Sequence, residues 1–245
     1  MIKFFRKIRQ KLLSENKFSK YLLYAIGEIV LVVIGILIAL QINNWNERQK
    51  QVILEKEILR EVRIGLLGDK TAIQVSINDH ENFIKSQDII VDWIHSGLDY
   101  HDSLLPHFKY TNWTTLFVPK DAQFESLKKF GLRNISNKKL GYQISNLYDN
   151  LYEDVLLWQD EYKNTSLDLR DMFRDIGFEF VKDSSYILMD AKPINPAELQ
   201  NNSAFLFQLI GTSGTLKIFN DQKLKVTQKE IEKTIKMIDE ELVIH

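Results

Sequence analysis

Between Tyr21 and Ile42 the chain carries one carboxylate, Glu28, among side chains that are almost all Ile, Leu, Val, Gly or Ala. An acid in that setting can relay protons, as intramembrane carboxylates often do, or, when protonated, donate a hydrogen bond to a neighbouring helix. Helical spacing at roughly 100° per residue puts Tyr21, Ala25, Glu28, Val32, Gly35, Ala39 and Ile42 within one arc of about 100°. Gly35 and Ala39 form a small-xxx-small pair that lets two membrane helices approach closely, and a hydrogen bond from Glu28 across that contact would stabilise it by roughly 0.6–2 kcal/mol. The preferred reading is therefore an anchor that self-associates or docks on another membrane protein. The alternatives are a proton-handling or motor-type accessory subunit, an analogy of layout only, and an acid near the boundary that merely tilts or snorkels.

No other group of residues makes as good a case for chemistry. His95, His101 and His107 recur every six residues with Asp99 and Asp102 between them, but without the i, i+4 pairing of helical zinc sites they read as solvated loop histidines, and no metal is expected. Ser103, Ser126 and Ser136 lack a G-x-S-x-G context. The acid pairs Asp168 with Asp171 and Glu153 with Asp154 fall on the polar side of a helix, where a solvated surface is the simpler reading. "GTSGT" has a phosphate loop's composition without its Lys. Trp93, Trp113, Trp158 and Tyr142, Tyr148, Tyr152 and Tyr162 could line a ligand surface, but ordinary bundle core explains them better. No catalytic residue, cofactor or enzymatic activity is expected, and a ligand-sensing bundle remains as a third function class.

The elements that position Glu28 follow from length and flanks. Twenty-two residues at about 1.5 Å each span roughly 33 Å, enough for a hydrocarbon core of about 30 Å. Fourteen of them are Leu, Ile or Val, each favouring insertion by roughly 0.3–0.6 kcal/mol, so together they outweigh one acid costing roughly 2.5–3.5 kcal/mol. A cleaved signal peptide has a shorter core and an Ala-x-Ala site, whereas "QINNWNERQK" follows here. A buried soluble helix seldom has an uninterrupted apolar girdle of this length. A transmembrane anchor is the reading adopted.

Lys3, Arg6, Lys7, Arg9, Lys11, Lys17 and Lys20 oppose only Glu15, giving +6 over the first 20 residues, while residues 43–60 hold four basic and three acidic groups. The bias places the N-terminus in the cytoplasm. The tail "MIKFFRKIRQKLL" either lies on the anionic leaflet as an amphipathic helix or only sets topology. The whole chain has 32 basic and 33 acidic residues, leaving −7 beyond residue 20, which argues against nucleic acid as a partner. Cysteine is absent, which excludes disulfides, thiolate chemistry and Cys-ligated metals.

Past Trp45, Val52, Leu59, Leu66 and Ile73 repeat every seven residues with Val62 between, and after a four-residue shift Ile77, Ile84 and Val91 continue to Ile94. This predicts a coiled-coil-like helix with a stutter, capped at Gly97. A short helix is expected over 102–108, and another over "DAQFESLKKF" from Asp121 to Gly131. A long helix is expected from Ser136 to Gly177, through Leu140, Ile144, Leu147, Leu151, Trp158, Tyr162, Leu169, Met172 and Ile176. "FEFVKDSSYILM", residues 178–189, reads as a small β-hairpin. "NPAE" sets Asn195 as N-cap with Pro196 and Glu198 in the first turn. The last helix carries Leu224, Ile231, Ile235, Ile238 and Leu242, with Gly211 and Gly214 expected to interrupt it.

"FFRKIRQKLLSENKFSKYLLYAIGEIVLVVIGILIALQINNWNE", with the later "FESLKKFG…NISNKKLGYQISNLY", resembles an uncharacterised family of single-pass membrane proteins from Bacteroidota, domain-of-unknown-function family 6090. The likeness is most specific over the first 48 residues. It implies inner-membrane residence and a periplasmic helical domain, and supplies no activity. The expected fold is mainly α: a basic cytoplasmic tail (1–20), a transmembrane helix (21–42), a stalk and first bundle helix (43–97) and the remainder of an elongated helical periplasmic domain with a small β-hairpin (98–245). The expected function is that of an interaction or scaffold module, with the lipid bilayer and another membrane protein or a second copy as partners.

Overall fold

A computed structural model of the chain describes residues 18–111, 113–181 and 190–244. The chain divides into two compact units, Met1–Glu55 and Lys56–His245. The described chain is mainly helical, with one two-stranded antiparallel sheet.

Helix α1 runs over Phe18–Ser96. Its Leu22–Ser96 part contains an 18-residue window of mean hydropathy 2.7, none of it buried, so one described helix is long and apolar enough to cross a membrane. No proline interrupts α1, and Gly97, with φ +64°, ends it in the left-handed region that favours glycine.

In the second unit, the part of α1 from Ile58 to Ile94 buries Ile58, Leu59, Val62, Leu66, Ile73, Ile77, Phe83, Ile90, Trp93 and Ile94. After a 3-10 turn over Asp102–Leu104, α2 covers Leu105–Tyr110, and α3 covers Ala122–Phe130. The long helix expected from Ser136 begins instead at Lys138, because Asn137 caps it by accepting the Leu140 N–H. Nor is it one regular helix. Helix α4 (Lys138–Asn146) passes through a π turn at Leu147–Leu151 into α5 (Tyr152–Ile176). The wider turn rotates the register, so Tyr148, Tyr152 and Val155 enter the core while Leu151 and Trp158 flank it. Gly177 terminates α5 with φ +88°.

Strands β1 (Phe178–Val181) and β2 (Asp190–Pro193) pair antiparallel, with Phe178 opposite Pro193 and Val181 opposite Asp190. The hairpin is present, but its second strand lies beyond the expected 178–189 stretch, of which residues 182–189 are outside those described. The Asn195 cap is as expected: its side chain accepts the Glu198 N–H and donates to the Glu198 carboxylate, opening the short α6 (Pro196–Gln200). Helix α7 (Ser203–Ile218) contains Gly211 and Gly214 without a break. Neither glycine has positive φ, and α7 gives way only at a second π turn, Phe219–Leu224, which leads into α8 (Lys225–Ile244).

Two apolar clusters hold this unit. One joins Leu66, Ile73, Leu140, Ile144, Leu216, Ile231 and Ile238, and the other joins Ile90, Trp93, Phe108, Phe173, Phe205 and Leu209. Leu66 is wholly buried whereas nearby Ile64 is 65% exposed. In urea unfolding of the full chain, Leu66→Ala is expected to cost about 2–5 kcal/mol and Ile64→Ala less than about 0.5 kcal/mol; equal costs would contradict this placement of the core.

Candidate functional site

The membrane-helix residues singled out by sequence all lie on α1. Ala25 and Glu28 are half-buried, and Val32, Gly35, Ala39 and Ile42 are exposed. A Cβ added at Gly35 would meet nothing within 4 Å. The side chains of Tyr21 and Lys20, and all of Lys3, Arg6, Lys7, Arg9, Lys11 and Lys17, fall outside the described residues.

The histidines serve local bonds. His95 is exposed in the last turn of α1. His101 accepts the Ser103 N–H at 3.1 Å, capping the 3-10 turn. His107 Nδ1 is 3.2 Å from the Ser86 hydroxyl. Among the described residues no three His, Asp or Glu side chains are grouped to hold a metal. Asp168 is exposed, Asp171 pairs with Arg174, and Asp154 with Lys223. "GTSGT" is the interior of α7 rather than a loop. Trp93, Tyr148, Tyr152 and Tyr162 are core residues, while Trp113 and Tyr142 are exposed.

The most organised polar feature is one that the apolar pattern conceals. Beside the column Val52, Leu59, Leu66, Ile73, α1 carries a second seven-residue column: Val62, Asp69, Ser76 and, past the shift, His80, Gln87, Ile94. Asp69, Ser76, His80 and Gln87 are all buried. Polar residues at seam positions of a heptad are the signal that could have found them.

Residues 113–120 form an extended strap with no helix or strand of its own, and the seam supplies bonds that a neighbouring strand would otherwise make. Asp69 accepts the Lys120 N–H through one oxygen and the Tyr152 hydroxyl through the other, both at 2.8 Å. Gln87 donates to the Thr111 carbonyl at 2.9 Å, and Asp79 accepts the Thr115 hydroxyl at 3.1 Å. From α5, Gln159 accepts the Phe117 N–H at 2.6 Å and donates to the Phe117 carbonyl at 3.3 Å, while the Tyr162 hydroxyl donates to the Trp113 carbonyl at 2.8 Å.

His80 Nδ1 lies 2.8 Å from Asn220 Oδ1. Asn220 spends its Nδ2 on the Ile77 carbonyl at 3.3 Å, so its Oδ1 is the acceptor and the bonding pattern assigns the ring proton to Nδ1. The rings of Phe83, Tyr162 and Phe219 surround the imidazole at 6.1, 5.5 and 5.5 Å. Burial holds His80 below the usual imidazole range, against Asn220, the Thr115 backbone and the Asp79 charge. Burial also lifts Asp69 above the usual carboxylate range, opposed by the Lys120 N–H and the Tyr152 hydroxyl. Tyr152 and Tyr148 are raised by burial first and by the Asp69 charge second.

Asp69 and His80 are eleven residues apart, roughly 16 Å along a helix, too far for one acid–base pair. The arrangement positions backbone. A cleft of about 360 Å³ lies over Phe83, Ser86, His107 and Tyr110, where Phe83 and Tyr110 stack with centroids 6.0 Å apart. No family model, curated protein or solved structure matches the chain.

Gln159→Leu would strand both Phe117 backbone groups, so a loss of about 1–3 kcal/mol is expected, together with new proteolytic cutting within 113–120. An uncut strap in the variant would contradict its anchoring role. For His80, the unfolded state binds a proton below about pH 6.5 more readily than the folded state does. Its contribution is therefore complete above that pH and declines as pH falls toward the folded value. Melting followed from about pH 7.5 to about pH 5 should show a loss that is smaller in His80→Gln, with a slope of at most about 1.4 kcal/mol per pH unit for one proton; an identical slope in the variant would remove His80 as its source.

Proposed function

We propose that the chain is a single-pass protein of a bacterial inner membrane, with its N-terminus in the cytoplasm and its helical domain in the periplasm, acting as an interaction or scaffold module and not as an enzyme. The observation that carries the reading is the apolar window of α1, of mean hydropathy 2.7 and with none of it buried. A segment so apolar and so fully uncovered needs a hydrocarbon surround. The +6 tail supports the orientation. Membership of domain-of-unknown-function family 6090, on the residues quoted above, is part of the same proposal. Within the bilayer, the face of Glu28, Gly35 and Ala39 is the contact surface, since small residues let helices approach and the carboxyl supplies the polar link.

Cysteine is absent from the native chain, so Gly35→Cys introduces a unique crosslinking handle, and a Cβ there meets nothing within 4 Å. In membranes, the Gly35→Cys chain is expected to form a self-adduct that persists when Glu28→Gln is added, because an amide still hydrogen-bonds. Adducts confined to a multi-span protein, with proton flux lost in Glu28→Gln, would replace this reading with the proton-handling one.

A further inference from the structure

The cleft between α1 and α2 carries opposite charges that do not meet. At about 360 Å³ it falls toward the lower end of small-molecule sites, which run from roughly 300 to 1,000 Å³. Its floor is aromatic, since the buried ring of Phe83 stacks on Tyr110. Asp79 and Lys85 also line it, with Asn82 between them. Asp79 accepts the Thr115 hydroxyl at 3.1 Å but has no cationic partner among the described residues. Lys85 and Asn82 have no polar partner among them.

The walls are held in place by the fold itself. Phe108 of α2 is wholly buried, Gln87 donates to the Thr111 carbonyl just beyond α2, and His107 Nδ1 lies 3.2 Å from the Ser86 hydroxyl. A site already ordered loses little binding free energy to ordering. Charge then narrows the chemistry. A plain organic cation would suit Asp79 but meet Lys85, and also Lys109, whose Nζ already lies 5.6 Å from the centre of the Tyr110 ring. A plain carboxylate would suit Lys85 but meet Asp79. A molecule bearing both signs satisfies both.

We propose that this cleft binds a free α-amino acid with an aromatic side chain. Six residues set the backbones of Asp79 and Lys85 about 9 Å apart along α1, a gap that a compact zwitterion fills with an ionic hydrogen bond of about 2.8 Å at each end. Its ammonium donates to the Asp79 carboxylate and the Asn82 amide oxygen, and its carboxylate accepts from Lys85. Its ring lies against the Phe83–Tyr110 pair, where aromatic packing adds to the area buried. The site belongs wholly to the second unit, so it does not rest on the membrane-helix reading.

The test titrates the full chain, solubilised in detergent, with L-phenylalanine in a calorimeter. Saturable binding is expected. Phenethylamine and 3-phenylpropionate, each lacking one of the two charges, should bind roughly tenfold more weakly, as for a lost charged hydrogen bond. Asp79→Asn, which keeps an acceptor for the Thr115 hydroxyl, and Lys85→Gln should each weaken L-phenylalanine by a similar factor of roughly ten with the melting temperature of the unliganded chain unchanged. Lys85 is exposed, so its variant decides the matter even if Asp79→Asn does not fold. The proposal is overturned by the absence of saturable binding, by either analogue binding as tightly as L-phenylalanine, or by an unchanged Kd in Lys85→Gln.

Discussion

An extended backbone laid against helices has no neighbouring strand to bond with, and that constraint organises the unit from Lys56 onward. Each buried N–H or C=O left unpaired would cost about 1–3 kcal/mol. The strap at 113–120 avoids this by borrowing side chains, Asp69 from α1 and Gln159 and Tyr162 from α5, while Gln87 of α1 bonds the Thr111 carbonyl just ahead of it. Burying those polar groups is itself unfavourable unless they are bonded, so strap and seam each account for the other. The apolar clusters around Leu66 and Trp93 supply the drive to collapse. The polar bonds fix where the strap and helices come to rest.

The two π turns fit the same logic. A π turn bonds less well than an α turn and tends to survive where something depends on it. The first, at Leu147–Leu151, is followed at once by Tyr152, whose hydroxyl reaches Asp69, and Tyr148 within it stacks on Phe124 at 4.2 Å. The second, at Phe219–Leu224, contains Asn220, which reaches both His80 and the Ile77 carbonyl. In each case an irregular turn on one helix places a polar side chain opposite a polar seam position on α1.

Much of the helical plan is legible because it is written in local chemistry. The heptad column of α1 from Leu59 to Ile77, the stops at Gly97, Gly131 and Gly177, and the Asn195–Pro196–Glu198 start each depend on residues near in sequence, and each is found. Past the shift, Phe83 and Ile90 fill the core where the repeat expects Ile84 and Val91, and those two only flank it. The seam is harder to see. Asp69 and His80 look like surface residues until the second column is read beside the apolar one, and their partners Tyr152 and Asn220 lie 83 and 140 residues away. Periodicity assumes one register throughout, so it cannot foresee the π turns, and it overrates Leu151 and Trp158 as core. Gly211 and Gly214 do not act as breakers because helix propensity is only a weak prior, which packing by Phe205, Leu209 and Leu216 overrides. The Glu28 face rests on span and flanks, features the sequence displays directly.

The strap is held from both sides at alternating points along its length, by α1 at Thr115 and Lys120 and by α5 at Trp113 and Phe117. It therefore works as a splint. Neither helix can move away without breaking bonds to a segment that the other still holds, so opening at either one draws on the same free energy. A stretch with the look of a mere connector thereby makes distant parts of the chain into a single cooperative unit.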